Sequence, residues 1–413
     1  MQPGHFPNAE SGLNRPRRVL HLITRLIVGG AQENTILTAS GLNSGLAGGG
    51  RYSAEIVSGV QTGPEGSLMD EARERGIPLT LMPCLVREIN PCMDILALLR
   101  LRRLMTTPDG APAYDIVHTH SSNAGILGRM AARLARVPVI VHTVHGWSFH
   151  DQMPLPARMI YIALERRTAR FTHKLVVVTS CDAEKGLRNG IGRPEQYVLI
   201  RSGIELERFM PNPDARNIIR RELGIPCNAP VVGSVTRLSP QKAPLDLVEM
   251  FAIVARQNPD ARLLIVGDGP LRRQVEDMIA ALDISSRIVL TGLRRDVPAL
   301  MAAMDVFVLT SLWEGLPRVI PQAMACGLPV VATDADGSAE AVRDGQTGFV
   351  TRRGDIRAQA ARTLELLDQP CLRIEMGEKA RAAAQEYDAA KMVKEIAALY
   401  DSLCCPGQWQ NPG

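Results

Sequence analysis

Residues 310–334 read Thr310-Ser-Leu-Trp-Glu314-Gly-Leu-Pro-Arg-Val-Ile-Pro-Gln-Ala-Met-Ala-Cys-Gly-Leu-Pro-Val-Val-Ala-Thr-Asp334. The apolar run Val306–Leu309 before this stretch predicts a buried strand, and Pro329 to Ala332 predicts another. Between them stand an acidic residue, Glu314, a Gly-Leu-Pro turn, and a helix expected to start near Pro317. Proline loses nothing at a first helical position, because its missing N–H would have no partner there. The backbone N–H groups of residues 318 to 320 then point outward, toward an anion. Glu314 would repel a bare phosphate, so its place suits a hydroxyl-rich group. A carboxylate for sugar hydroxyls beside an amide cradle for phosphate describes a sugar-nucleotide pocket.

Short apolar runs alternate with helical patterns on either side of this stretch. Strands are expected at Val19–Thr24, Tyr52–Val60, Leu79–Met82, Asp115–His120, Val137–Val144, Lys174–Thr179 and Tyr197–Arg201. After a polar, proline-bearing connector near 203–213 the pattern restarts, with strands at Val231–Val235, Arg262–Val266, Ile288–Thr291, Val306–Leu309, Val330–Ala332 and Gly348–Val350. Strands alternating with helices mean a parallel sheet covered on both faces. Two doubly wound, Rossmann-like α/β units in tandem follow, facing each other across a cleft at their strands' carboxyl ends. Residues 18–204 form the first unit and 205–388 the second. Segment 1–17 is expected to be disordered and 404–413 to be a flexible tail.

Composition narrows the class. A chain of 413 residues fits two domains rather than one core. Aromatics are only 4%, too few for a stacking platform, so nucleic acid is not an expected partner. A net charge of +4 neither demands nor excludes anionic partners. None of the eight cysteines forms a C-x-x-C pair, and residues 1–18 lack an apolar signal core, so reduced thiols and a cytoplasmic location are expected. No run approaches the ~18 apolar residues of a membrane span.

The stretch from Glu314 to Val331 resembles the donor site of the retaining GT-B glycosyltransferases of family 4, the glycogen-synthase-like group. That family's form is E-G-x-P/G-x-x-x-x-E-A-M-A-x-G-x-P-V-V, and here the second glutamate is Gln322. The resemblance, which covers residues 18 to about 400, implies a GT-B fold whose last helix (about 389–403) returns to the first unit. It implies that Glu314 faces the transferred sugar, that Gly315, Leu316, Arg318 and Val319 line the donor site, and that position 322 takes the ribose hydroxyls. Glutamine keeps an acceptor oxygen and adds a donor, so the ribose contact is altered rather than lost.

Other loops join this wall. In Ser234-Val-Thr-Arg237-Leu-Ser-Pro-Gln-Lys242-Ala243, Arg237 and Lys242 flank a tight loop at a strand's carboxyl end. They are either solvated loop cations or a pair that neutralises a diphosphate as the sugar bond breaks. The resembled G-R-L-x-x-x-K-G favours the second, with Ala243 in place of the last glycine. Gly29-Gly30 opens the first helix; the third glycine of a dinucleotide fingerprint is absent. The resemblance places Gly29 and Gly30 near the donor diphosphate. It also places the loop carrying Leu293 and Arg294 beside the base, which favours UDP over GDP.

Four of the eight histidines lie at 118, 120, 142 and 145. His118-x-His120 with His142-x-x-His145 has the form of a metal site, but no cysteine or acid of suitable spacing completes a shell. The resemblance instead makes His145 the one active-site histidine, touching the sugar or the acceptor side. No metal and no cofactor is implied: Asp334-Ala-Asp336 has the letters of a metal-binding D-x-D but the wrong context.

The reading is a retaining, metal-independent hexosyltransferase that uses a UDP-sugar and a glycan or lipid-linked acceptor in envelope or extracellular polysaccharide synthesis. Its catalytic residues are His145, Arg237, Lys242 and Glu314. Rivals are a UDP-N-acetylglucosamine 2-epimerase-like enzyme, a non-catalytic nucleotide-sugar-binding protein and a zinc hydrolase. Leu96–Met105 and Arg158–Lys174 carry apolar stripes with arginines. They are either core-facing helices or helices lying on anionic lipid at the inner face of the cell membrane.

Overall fold

The computed structural model describes residues 15–46, 48–61, 66–88, 90–149 and 153–404. Among these, the first sheet holds β1 (Arg17–Arg25), β2 (Tyr52–Gly59), β3 (Leu79–Leu81), β4 (Ile116–His120), β5 (Val139–Val144), β6 (Lys174–Val177) and β7 (Tyr197–Leu199). Its order is β3-β2-β1-β4-β5-β6-β7, all parallel. The second sheet holds β8 (Val231–Val235), β9 (Arg262–Val266), β10 (Ile288–Leu290), β11 (Val306–Leu309), β12 (Val330–Thr333) and β13 (Gly348–Thr351). Its order is β10-β9-β8-β11-β12-β13, also parallel.

Parallel strands are covered on both faces, so they read as continuous apolar runs. β5 and β12 are buried at every position. In each sheet the first strand lies centrally and the order reverses beside it, between β1 and β4 and between β8 and β11. Such reversal points open a crevice at the strands' carboxyl ends. Glu314 leaves β11, Lys242 leaves β8 and Gly29-Gly30 leaves β1, so the candidate residues sit at these two points.

The helix Ala389–Cys404 packs against the helix Gly30–Asn43 on one face of the first sheet. Met392, Val393, Ile396 and Tyr400 share a core with Val19, Ile36 and Leu42. Each such buried apolar side chain contributes about 1.5–3 kcal/mol. Gly41 lets the helices approach: a β-carbon there would lie 2.6 Å from Val393 Cγ2. The chain passes between the sheets twice, side by side. Ile204 N–H donates to Tyr387 O at 2.7 Å, and Ala389 N–H donates to Ile204 O at 2.9 Å.

Three expectations need correction. β1 already includes Arg17, whose guanidinium is anchored to Asp401 at 2.5 Å, so residue 17 is not part of a disordered segment. Cys404 closes the last helix, although the tail was expected to begin there. Residues 1–14 and 405–413 lie outside the described residues. The helix expected near Pro317 starts at Val319, because Ile320 N–H donates back to Pro317 O at 2.9 Å in a turn. Among the described residues, no helix is long and apolar enough to cross a membrane.

Candidate active site

β8 and β11 are neighbours, so the loops leaving them touch. Lys242 ends a short 3-10 turn, Pro240–Lys242. Thr310 Oγ1, at the end of β11, donates to Lys242 O at 2.9 Å and to Ala243 O at 3.0 Å. Leu312 N–H donates to Gln241 O at 2.8 Å. These bonds bring the Lys242 ammonium into an ion pair with Glu314. Ser311 Oγ donates to the same carboxylate oxygen at 2.6 Å. The Glu314 side chain is only 6% exposed. Enclosing a carboxylate without a partner is costly, and Lys242 is its counter-ion. The sequence reading gave these two residues separate tasks; the fold makes them one unit. Arg237 is exposed on the loop that leaves β8.

Gly315, next in the chain, meets the first unit. A β-carbon on Gly315 would lie 2.1 Å from His145 O and 2.9 Å from Gly146 N. Gly146 takes φ +118, which favours glycine, and its own β-carbon would lie 3.2 Å from Gly315 Cα. Gly337 closes the same contact from behind, since a β-carbon there would fall 1.9 Å from Gly315 O. Asp336 holds the loop: it accepts from Glu314 N–H at 3.3 Å, with a left-handed φ of 39° that is costly for a non-glycine residue. Asp334 instead accepts from Arg353 N–H at 3.0 Å, so the two aspartates serve separate partners.

The Arg318 guanidinium, distinct from its backbone amide, joins the two units. It is buried, donates from Nε and Nη2 to Gly203 O at 3.1 and 2.8 Å, and pairs with Glu33. It therefore ties the second unit to the connector and to the first helix. Gly30 makes room for it, as a β-carbon there would lie 3.2 Å from Arg318 Cδ. Gly29 is extended, with φ 175°, and would meet only Gln32. Of the three amides expected to face an anion, that of Ile320 is taken by Pro317. Those of Arg318 and Val319 have no partner among the described residues.

The expected base-side loop is divided. Leu293 is exposed and faces Gly66 of the first unit. Arg294 turns to the surface acids Asp296 and Glu222, at 2.6 and 2.8 Å. Leu316 and Gln322 are buried and Val319 is partly buried. The Gln322 side chain makes no hydrogen bond among the described residues.

The histidines separate by face. His118 and His120 share one side of β4, and His118 is held between Tyr400 Oη at 2.5 Å and Thr143 Oγ1 at 2.6 Å. His142 points the other way, against Gly125, with Nδ1 2.9 Å from Thr119 Oγ1. The four-histidine metal constellation is therefore split by the sheet. His145, partly buried at the cleft, places Nε2 3.1 Å from His120 Nδ1. Burial, then the Arg318 charge, push the His145 imidazole down to about 3, so it is neutral near pH 7.

Two family models match the chain: the glycosyl transferase 4-like domain over residues 16–203, and glycosyl transferases group 1 over residues 215–383. The UDP-Gal:alpha-D-GlcNAc-diphosphoundecaprenol alpha-1,3-galactosyltransferase of Escherichia coli is 33% identical over 343 residues, covering 82% of this chain and 87% of its own length. The chain belongs to the group 1 glycosyltransferases. A D-inositol 3-phosphate glycosyltransferase of Corynebacterium glutamicum is 28% identical over 302 residues, 70% of this chain and 72% of that one. Among solved structures, Anabaena HepE in complex with UDP and glucose superposes with a TM-score of 0.78 over 94% of this chain and 100% of HepE, at 23% identity. WaaG, a glycosyltransferase of lipopolysaccharide biosynthesis, gives 0.71 over 92% of this chain and 99% of its own, at 20% identity. These likenesses show the GT-B fold.

Within the group 1 form, the structure explains one departure of this chain. Ala243 stands where the resembled motif has glycine, and it is left-handed at φ 44°, ψ 56°. That conformation costs an alanine roughly 1–2 kcal/mol, and the bonds from Thr310 hold it in place. Three residues around these groups escaped the sequence reading: Asp336 and Ser311, which bond Glu314, and His21, whose Nδ1 lies 3.0 Å from His120 Nε2. Asp336 had a signal in the D-x-D letters, though for a different task. His21 is a lone histidine in an apolar strand and had none.

Proposed function

We propose that this group 1 glycosyltransferase moves a hexose from a UDP-sugar to a lipid-linked acceptor, with retention and without a metal, in the building of an envelope or exported polysaccharide. The observation that carries the proposal is the Lys242–Glu314 pair beneath the contact of His145 with Gly315. It sets a cation for a leaving diphosphate and a carboxylate for sugar hydroxyls against the opposite wall of the cleft. The E. coli relative is named for UDP-galactose and a diphosphoundecaprenol-linked acceptor, and HepE was solved with UDP. Both names support a UDP-sugar, and the first supports a lipid-linked acceptor.

In this mechanism the acceptor hydroxyl attacks the anomeric carbon from the face that the diphosphate leaves. The bond from anomeric carbon to phosphate oxygen breaks, and the hydroxyl proton passes to that oxygen, giving the glycoside and UDP. Lys242, Arg237 and the amides of Arg318 and Val319 stabilise the charge that develops on the leaving group. Exposed apolar side chains support a lipid-side acceptor. Ile95 and Leu99 on the helix Pro91–Leu104 are 60% and 57% exposed, and Leu155 and Met159 on the helix Leu155–Ala169 are 71% and 58% exposed. Arg102, Arg103, Arg167 and Arg170 are exposed on or just beyond the same two helices. Apolar side chains with arginines beside them suit an anionic lipid surface.

The test is UDP and GDP release from a panel of nucleotide sugars, with EDTA present and with a polyprenyl-diphosphate sugar as acceptor. Donor-specific UDP release that depends on acceptor, and is abolished in Lys242→Ala, is expected. Binding of UDP-sugar with no release under any acceptor would instead make the protein a nucleotide-sugar sensor.

A further inference from the structure

A line of three imidazoles runs from the middle of the first sheet to the cleft. His21 Nδ1 lies 3.0 Å from His120 Nε2, and His120 Nδ1 lies 3.1 Å from His145 Nε2. The rings stack, with centroids 5.3 Å apart at each step. His21 and His120 are fully buried. Burial pushes His21 down to about 3 and His120 well below its usual range, so with His145 all three rings are neutral. A neutral imidazole carries one N–H and one lone pair. Each link needs one of each, so the tautomers of the three rings are coupled.

Two arrangements satisfy both links. In one, every ring carries its proton on Nδ1; in the other, every ring carries it on Nε2. They differ at the two ends of the line, His145 Nδ1 at the cleft and His21 Nε2 in the core. His21 Nε2 is buried without a hydrogen-bond partner. The first arrangement leaves a bare lone pair there, and the second leaves a bare N–H. Orphaned buried N–H groups are the rarer case, so the first arrangement prevails.

We propose that His21 and His120 are positioning residues that lock His145 as its Nδ1–H tautomer, so that His145 meets the bound sugar as a donor to a hydroxyl oxygen. His145 Nδ1 has no partner among the described residues, which leaves it open to a ligand. The identity of that ligand rests on the transferase reading; the tautomer does not.

A metal is the competing use of this cluster. Nitrogens of His21, His118 and His120 lie within 4.8 Å of one another. A metal needs lone pairs from separate rings to converge on one point. Here the His118 and His120 rings stack at 4.4 Å, with 29° between planes, and both nitrogens of His118 are taken by Tyr400 and Thr143.

The test is a long-range 1H–15N correlation spectrum of the full chain with labelled histidine, at pH 7.5 and without ligand. A protonated Nδ1 and a bare Nε2 on His145 are expected; a protonated Nε2 overturns the proposal. In His120→Phe and His21→Phe, His145 loses its single tautomer and kcat falls by about tenfold, the worth of one neutral hydrogen bond, with KM less affected. His120→Asn, whose amide still donates at the Nδ1 position, restores both. An unchanged His145 tautomer in both folded Phe variants overturns the proposal, as does stoichiometric zinc binding that shifts His21, His118 and His120 together. If neither Phe variant folds, the wild-type spectrum decides by itself. A locked Nδ1–H His145 in a protein that turns over no UDP-sugar supports the lock and sinks the transferase reading alone.

Discussion

The carbonyl oxygen of His145 lies 2.1 Å from the place a β-carbon on Gly315 would take. The two units thus touch backbone to backbone at the candidate active site, and no side chain fits between them. Gly315→Ala is relieved by opening the cleft, because each sheet is packed independently of that contact. A displacement near 1 Å in a positioned site costs on the order of 100-fold in rate. We expect a loss of that size in kcat, with an unchanged circular dichroism spectrum. A Gly315→Ala enzyme within threefold of wild type would show that the contact is not part of the working state.

Lys242 and Glu314 form one ion pair, so removing either leaves the other alone. Lys242→Ala strands a carboxylate that is 6% exposed, at a cost of about 3 kcal/mol in folding stability. It also removes a cation from the leaving group, which lowers kcat by about 100- to 1000-fold. Lys242→Met combined with Glu314→Gln should recover most of the stability and none of the activity. Urea unfolding read alongside UDP release separates the two effects. Equal recovery of both would remove the pair from the mechanism.

Much of this site was legible because its signals are local. The run Val306–Leu309, the Gly-Leu-Pro turn and the second run at Val330 lie within one stretch, and each needs only its neighbours to be read. What escaped depends on partners far along the chain. The motif places the Arg318 amide, but nothing local shows that its guanidinium donates to a carbonyl 115 residues away, at Gly203. His21 reaches His120 across 99 residues, and nothing in its strand hints at it. The pairing of Lys242 with Glu314 is set by β8 and β11 being neighbours, a fact of sheet order rather than of either loop.

Four buried histidines and the partly buried His145 predict an acid-sensitive fold. His21, His118, His120, His142 and His145 are all pushed below their ordinary pKa, chiefly by burial. Unfolded, they take up protons near pH 6.5; folded, they do not until far lower, about 3 for His21 and His145. Their contribution is complete above pH 6.5 and is lost as pH falls from there toward 3, by up to about 1.4 kcal/mol per pH unit for each ring. Asp182, raised by burial to about 7, works in the opposite sense: its contribution fades as pH rises through 7. Urea midpoints measured from pH 8 to pH 5 should therefore fall steeply below 6.5. A flat profile over that range would mean that these rings are hydrated or charged in the folded state.

The exposed apolar side chains on the helices Pro91–Leu104 and Leu155–Ala169 give a direct membrane prediction. The two helices flank a third, Ser122–Leu134, which packs against both of them. Ile95→Glu with Leu99→Glu touches no core residue, so stability should change by less than about 0.5 kcal/mol. Sedimentation with phosphatidylglycerol vesicles should drop several-fold, and turnover of a soluble acceptor analogue should not. Equal vesicle binding by wild type and variant would place lipid contact elsewhere.

Gln322→Glu restores the residue of the resembled motif and tests what the glutamine does. Gln322 is 8% exposed, its side chain makes no hydrogen bond among the described residues, and the Arg318 guanidinium nearby in the chain is already committed to Glu33 and Gly203. A carboxylate at 322 would lack a partner until nucleotide arrives, so the free enzyme should unfold at a lower temperature. With UDP bound, hydrogen bonds from ribose hydroxyls to a charged acceptor should gain about 1 kcal/mol over those to an amide, or roughly fivefold in Kd. Titration calorimetry with UDP and melting curves with and without it should show opposite signs: tighter binding, and a less stable free protein. If UDP affinity does not move, position 322 does not contact the ribose, and the nucleotide must be held by the backbone of the Leu293 loop and the amides of Arg318 and Val319 alone.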